Sequence, residues 1–241
     1  MKRTIGVVIM TVLMAGTQAF GWGLPSVPSI PGFGGGAAES GEKVDVAALS
    51  SRDAAIKMRL YKASVTLASG LIEVEKACGR AAEAAKLEAT LEEAKKNPAD
   101  TEGTKKLCTD INNASDAMKE VDLNSSMSKS EARLRLGKAL LLLGAGSLLD
   151  VQAVNDARNL VSDIASGLRR VQASPMTYGL AAAKDLGSGL STAKFVVETV
   201  PSQLSTIGSF TSGLVKYART NKIDIPSQAD LEKQSKDIEK E

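Results

Sequence analysis

From Val46 onward, apolar residues recur at intervals of three and four, which is the spacing of one face of an α-helix. The first stretch of this kind has intervals of 7, 4, 3, 4, 4, 3 and 4 and consists of Leu49, Ile56, Leu60, Ala63, Leu67, Leu71, Val74 and Cys78. Charged side chains occupy the opposite positions. The pattern predicts one long first helix, roughly 45 Å at the helical rise, that ends at Gly79.

Shorter stretches of the same periodicity follow, separated by turn residues. They predict a second helix over residues 80–96 and a third helix around residues 107–121, with Pro98 at the first position of the third. Residues 124–126 predict a break in the chain. The pattern of residues 128–131 matches a capping box and predicts the start of a fourth helix.

The C-terminal half is more apolar. Residues 139–149 contain no charge, and a helix that is apolar on all sides is buried. Residues 176–220 are rich in Ala, Gly and Ser and hold only six charges, and Pro201 is predicted to divide them into two helices. The polar residues 227–241 predict either a short charged helix or a disordered tail.

No stretch alternates as a β-strand does, so the sequence predicts an all-α protein. The expected architecture is an elongated bundle of about six or seven helices, with a long first helix and an apolar, Gly/Ala-rich C-terminal half. The bundle is assigned to residues 45–222 and a polar tail to residues 223–241. Residues 1–19 are assigned to a signal peptide, and residues 20–44 to a Pro/Gly-rich segment and linker.

The first 19 residues have the three parts of a secretory signal. Lys2 and Arg3 precede an apolar stretch over residues 5–14, and residues 17–19 form a small-residue cleavage site. We therefore expect export to the periplasm or the extracellular space. Cleavage would remove two of the 30 basic residues and leave 28 beside 28 acidic ones. A neutral chain has no overall field that attracts nucleic acid.

Residues 21–33 carry a repeat of three that fits a polyproline II helix, which has three residues per turn. Prolines occupy positions 25, 28 and 31, and large apolar residues recur with the same spacing of three. We call these apolar residues the apolar ridge: Leu24, Val27, Ile30 and Phe33. Trp22 precedes the ridge, and a Gly-rich linker over residues 34–41 follows it. The ridge and Trp22 are predicted to contact a groove on a partner or on the protein's own bundle; the alternative is a disordered tether.

The two cysteines, Cys78 and Cys108, are predicted to form a disulfide because an even pair in an oxidising compartment usually does. One geometric objection stands against this prediction. In a straight helical hairpin that turns near Pro98, the two residues would be offset by roughly 15 Å along the axis. A kink at Gly79 or a late start of the third helix would reduce this offset. The alternative to a disulfide is two small buried thiols.

The residue types also restrict the chemistry. The chain has no histidine, which removes Ser-His-Asp and Cys-His catalysis and the commonest zinc ligand. Its glycine pairs do not match a phosphate-binding loop. We therefore predict no catalytic residue, no metal site and no cofactor, and the protein is not expected to be an enzyme.

These patterns predict an exported, non-enzymatic helical bundle that acts through contacts with an unidentified protein of the cell envelope, as a structural or adaptor protein. One alternative is a membrane-active protein that exposes residues 139–149 and 176–200; such behaviour resembles that of helical pore-forming toxins. Eleven residues cover only about 16 Å of a hydrocarbon core of about 30 Å, so membrane contact is not favoured. The other alternative is a carrier of a lipid or another apolar ligand.

Overall fold

The computed structural model describes residues 44–127 and 130–241, apart from the side chains of residues 175, 176 and 178–180. This part of the chain is all-α and contains no strand, which confirms the predicted fold class. Its seven helices are α1 (Val46–Ala77), α2 (Ala81–Lys96), α3 (Thr101–Lys119), α4 (Leu123–Ser126), α5 (Ser130–Ala173), α6 (Pro175–Thr220) and α7 (Gln228–Lys240).

Three long helices form the frame of the bundle. Helix α1 has 32 residues, α5 has 44 and α6 has 46, so the last two are about 66 and 69 Å long at the helical rise. Ser174 alone connects α5 to α6, so the two helices form a tight antiparallel hairpin. Helix α1 runs antiparallel to α5, because its early residue Arg52 pairs with Asp163 and its late residue Glu73 pairs with Arg135.

Close approach of α1 to α5 depends on glycine. A Cβ atom on Gly146 of α5 would lie 2.7 Å from Leu67 Cγ of α1, and one on Gly70 of α1 would lie 2.9 Å from Leu143 Cγ of α5. Two large leucines thus pack against positions that have no side chain. The backbones approach more closely than alanine at either position would allow.

The core consists of two apolar clusters along the frame. The first combines α2 and α3 with the C-terminal half of α1, the start of α5 and the end of α6. The second combines the N-terminal half of α1 with the end of α5 and the start of α6. Ser64, Cys108, Asp150 and Gln203 lie near the boundary between the two clusters, and we call these four residues the polar layer.

Several predicted boundaries are confirmed and others are corrected. Helix α1 ends where predicted, because Gly79 takes a positive φ of 73° that glycine accommodates without strain. Helix α3 begins at Thr101 and not at Pro98, because the Asp100 side chain accepts hydrogen bonds from the amides of Glu102 and Gly103 and caps the helix there. The predicted break is present, because α3 ends at Lys119 and α5 begins at Ser130; residues 124–126 within it belong to the short α4. The predicted capping box falls partly on residues 128 and 129, which lie outside the described residues.

Pro201 does not divide the C-terminal half, contrary to the prediction. It lies inside α6, which continues through it as one helix. Proline lacks an amide hydrogen, so the carbonyl of Val197 loses its helical partner. Burial of the flanking Val200 and Leu204 in the second cluster holds the helix together in spite of that loss.

The C-terminal tail forms a helix and is not disordered. Ser227 and Asp230 form a reciprocal capping box at the start of α7. Leu231 is buried, and a Cβ on Gly144 of α5 would lie 2.6 Å from its side chain. At the other end of α7, Glu239 accepts hydrogen bonds from Arg59 and Lys62 of α1. The tail therefore belongs to the bundle.

Candidate functional site

The predicted contact residues Trp22, Leu24, Val27, Ile30 and Phe33 lie outside the described residues, as does the predicted signal peptide. The structure nevertheless gives the point where this segment joins the bundle. A Cβ placed on Gly167 of α5 would lie 3.1 Å from Cγ1 of Val44 and 3.6 Å from Cδ1 of Leu186 of α6. Val44, the first described residue, therefore lies beside the hairpin formed by α5 and α6.

The described bundle exposes few large apolar side chains at its surface. Among the described residues, only Met58 (39% exposed) and Leu134 (78% exposed) are large hydrophobic residues at the surface. They lie on different helices, and scattered single residues of this kind are ordinary on a soluble surface. The apolar ridge, in contrast, places four large apolar residues within ten consecutive positions.

The apolar stretch over residues 139–149 lies in the middle of α5 as one continuous helical segment. Ala139, Leu143, Ala145 and Leu149 have no exposed surface, and no residue of the stretch is exposed. Helices α1, α6 and α7 cover it. None of the described helices combines the length and the hydropathy needed to cross a bilayer.

The predicted disulfide between Cys78 and Cys108 is absent, and both cysteines are free. Cys108 Sγ lies 3.2 Å from Ser64 Oγ of α1. Ser64 precedes Cys78 by fourteen residues, which is about 21 Å along a helix. A disulfide requires Cα atoms within about 7 Å. The axial offset that the sequence already suggested therefore keeps the two thiols apart.

Both thiols are predicted to be alkylated when the protein is denatured without reductant, because no disulfide protects them. In the folded protein we expect both to react slowly at pH 8. Burial raises the pKa of Cys78 to about 11 and that of Cys108 to about 12, so neither is a thiolate at that pH. Mass spectrometry after iodoacetamide treatment counts the adducts. A denatured protein that gains adducts only after reduction would contradict this prediction.

The polar layer is the most unusual chemical feature of the described core. Gln203 Nε2 of α6 donates a hydrogen bond to Asp150 Oδ2 of α5 at 3.1 Å, and both residues have no exposed surface. Within the described part of the chain, Asp150 Oδ1 and Gln203 Oε1 are buried without a hydrogen-bond partner. Burial raises the pKa of Asp150 well above its ordinary value, and the Gln203 hydrogen bond opposes the shift only in part. Buried polar atoms without partners are costly, so this pair requires an explanation.

A second buried carboxyl group lies near the end of α1. Glu75 is 2% exposed, and its Oε2 has no hydrogen-bond partner among the described residues. Burial raises the pKa of Glu75 to about 7, while the positive charge of Arg80 acts against that rise. Glu73, two residues earlier, behaves differently: its hydrogen bonds with Lys138 and Arg135 outweigh burial and lower its pKa.

The Asp150–Gln203 pair was not predicted, although the sequence contains one signal for the burial of Asp150. Asp150 follows Leu149 directly and lies three positions before Ala153 and four before Val154, which are both buried. An acidic residue at such a position of a helical pattern faces the core. Asp150 directly follows the charge-free stretch over residues 139–149. The partner, Gln203, could not be found by pattern because it lies on another helix.

The described residues contain no group of three or more Cys, Asp and Glu side chains arranged to hold a metal ion. An open cleft of about 320 Å³ lies between the end of α1 and the start of α5. Its charged lining residues are already paired: Lys76 with Glu88, and Arg135 with Glu73 and Glu131. No protein-family model matches the chain, and neither a curated protein nor a solved structure matches it.

Proposed function

We propose that this protein is an exported, non-enzymatic helical bundle that acts through protein–protein contacts in the cell envelope, with the apolar ridge and Trp22 as its contact element. The observation that carries the proposal is the contrast in apolar surface. The described bundle leaves only Met58 and Leu134 exposed among its large hydrophobic residues, whereas the segment ahead of Val44 holds five large apolar residues within twelve positions.

The bundle then serves as a rigid support for the contact element. Its frame extends over more than 60 Å, as judged from the 44 residues of α5. Val44, the first described residue after the linker over residues 34–41, lies near Gly167 and Leu186 at the end of the α5–α6 hairpin. A preformed polyproline II ridge loses little entropy when it binds a groove, so a short segment is sufficient for a specific contact.

The alternative of a membrane-active protein requires a large rearrangement. Residues 139–149 would have to leave their place between α1, α6 and α7. Leu143 packs against Gly70, Gly146 against Leu67 and Gly144 against Leu231, so all three of these contacts would be lost together. The proposal of protein contacts requires no change in the bundle.

We expect a ridge variant, Leu24→Ser/Ile30→Ser/Phe33→Ser, to lose its partner when the mature protein is cross-linked in its host and purified. Loss of three apolar anchors should weaken binding on the order of tenfold or more. The matched control is Ser26→Ala/Ser29→Ala, which changes the same segment outside the ridge and should retain the partner. The melting temperature of each variant is measured in parallel.

The outcomes separate the two possible grooves. A lost partner with an unchanged melting temperature places the groove on another protein. A lowered melting temperature with no partner in either sample would place it on the bundle itself and would reject a role in partner contact. If the ridge variant keeps both its partner and its melting temperature, the segment is only a tether and the proposal fails.

A further inference from the structure

The Asp150–Gln203 pair connects α5 and α6 at the centre of the bundle. Leu143 of the first cluster and Ala153 of the second lie on either side of Asp150 along α5. Cys108 of α3 and Ser64 of α1 complete the polar layer, and their side chains contact each other at 3.2 Å. Polar side chains of four helices therefore lie close together where the apolar core is interrupted.

The hydrogen-bonding groups of this pair fit a neutral carboxyl group. An ionised carboxylate has no donor, so Asp150 Oδ1 and Gln203 Oε1 would both remain acceptors without a donor. A protonated carboxyl group has one O–H donor, and Gln203 Oε1 is an acceptor within the same pair. With the proton on Oδ1 the two groups can form two hydrogen bonds at once, and both of the unpartnered atoms are then satisfied.

The charges around the pair also favour the neutral form. Burial raises the pKa of Asp150, the Gln203 hydrogen bond opposes that rise only in part, and no cation contributes. Cys108 is the titratable group of α3 that interacts with Asp150, and its pKa of about 12 keeps it neutral. Helix α1 contributes Ser64 and α6 contributes Gln203, neither of which titrates. Arg59 of α1 and Asp156 of α5 lie farther along their helices and pair with each other at the surface.

Helix α6 is weakened at this level. Pro201 lies two residues before Gln203, and Val197 has no helical donor for its carbonyl. Ser202, between Pro201 and Gln203, is exposed. Helix α6 is held in place on both sides of this turn. After the turn, Tyr217 Oη donates a hydrogen bond to the carbonyl of Met127 at 2.7 Å, and before it, Leu186 lies in the second cluster. Opening at Pro201 would therefore be local.

We propose that the Asp150–Gln203 pair is a protonation-dependent contact that holds the Pro201 turn of α6 against α5 while Asp150 is neutral and releases that turn when Asp150 loses its proton. The buried carboxylate would otherwise keep only the Gln203 donor at Oδ2 and would have no counter-ion, and opening of the turn lets water solvate it. The proton passes to solvent, and no other reactant is needed. This contact is independent of the proposed function, because the apolar ridge plays no part in it.

Hydrogen exchange of the full-length mature protein tests this contact. The measured quantity is the protection factor of the backbone amides of residues 203–206, each corrected for the intrinsic pH dependence of exchange. In the wild-type protein the corrected protection factor should fall by about tenfold per pH unit above pH ~4, until the pH passes the pKa of Asp150 in the folded state. In Asp150→Asn it should be independent of pH, because an asparagine amide supplies the missing donor permanently.

Glu75→Gln is the matched control. It removes another buried carboxyl group, which lies on a different helix, and should leave the pH dependence of residues 203–206 as in the wild type. Wild-type protection factors that do not vary with pH, or a variation that persists in Asp150→Asn, would overturn the proposal. If Asp150→Asn does not fold, the ¹³C shift of the Asp150 carboxyl group in the wild type decides. A neutral group at pH 6 supports the proposal, and an ionised group at pH 6 refutes it.

Discussion

Replacing Gly146 with alanine is expected to destabilise the protein by about 1–3 kcal/mol, although alanine favours helix over glycine by about 1 kcal/mol. The added Cβ would lie 2.7 Å from Leu67 Cγ and 3.2 Å from the carbonyl oxygen of Ala63. Leu67 has no exposed surface and cannot move aside, and Ala63 contributes backbone. The helices α1 and α5 must therefore separate, which loosens the most extensive contact in the bundle.

The same substitution at Gly213 of α6 is the matched control and should have the opposite sign. Gly213 is exposed, and a Cβ there would contact nothing within 4 Å. We expect Gly213→Ala to stabilise the protein by about 0.5–1 kcal/mol. Urea denaturation of both variants gives the comparison. A Gly146→Ala protein as stable as Gly213→Ala would show that α1 and α5 do not pack as closely as described.

Asp150→Asn is expected to be more stable than the wild type at pH 8 and about equal to it at pH 4. The pKa of Asp150 is raised in the folded protein, so the folded state holds a proton that the unfolded state releases above pH ~4. Wild-type stability therefore falls as the pH rises from that value, by about 1.4 kcal/mol per pH unit for this proton, until the pH passes the pKa of the folded state. Asparagine removes that loss and retains the hydrogen bond to Gln203.

Glu75→Gln should also be more stable than the wild type at pH 8, and this difference should develop over a narrower pH range. The pKa of Glu75 rises from 4.5 to about 7 on folding. The contribution of the raised pKa to the stability of the folded state is therefore fully present below pH 4.5 and is lost by pH 7. Chemical denaturation from pH 4 to pH 8 measures both effects, and the double variant should show their sum because the two residues lie in different parts of the core. An Asp150→Asn protein less stable than the wild type at pH 8 would mean that Asp150 is ionised and stabilising.

Helical periodicity was sufficient to predict the architecture. The apolar stripe from Leu49 to Cys78 predicted both ends of α1 closely, because an amphipathic helix and its glycine terminus are both local features. The charge-free stretch over residues 139–149 was correctly assigned to a buried helix, because its covering by other helices follows from hydrophobicity alone.

Features that depend on tertiary packing were not predictable from the same patterns. The local preference of Pro201 to end a helix is overridden by burial of Val200 and Leu204. The position of Cys108 along α1 depends on where α3 begins, and the cap at Asp100 sets that start. The Asp150–Gln203 pair joins residues 53 positions apart on two helices. The helical pattern indicates that Asp150 faces the core, but a single sequence contains no signal that pairs it with Gln203.

The most direct measurement of the central claim is site-specific photo-crosslinking of the N-terminal segment in the host. A photoreactive residue is placed at Val27 or Ile30 on the ridge, and at Ser26 or Ser29 beside it. Because polyproline II repeats every three residues, the two ridge positions face the same side and the two serine positions face another. We predict a protein adduct of one defined mass from Val27 and Ile30 and a much weaker one from Ser26 and Ser29. Equal adducts from all four positions, or none from any, would contradict the account.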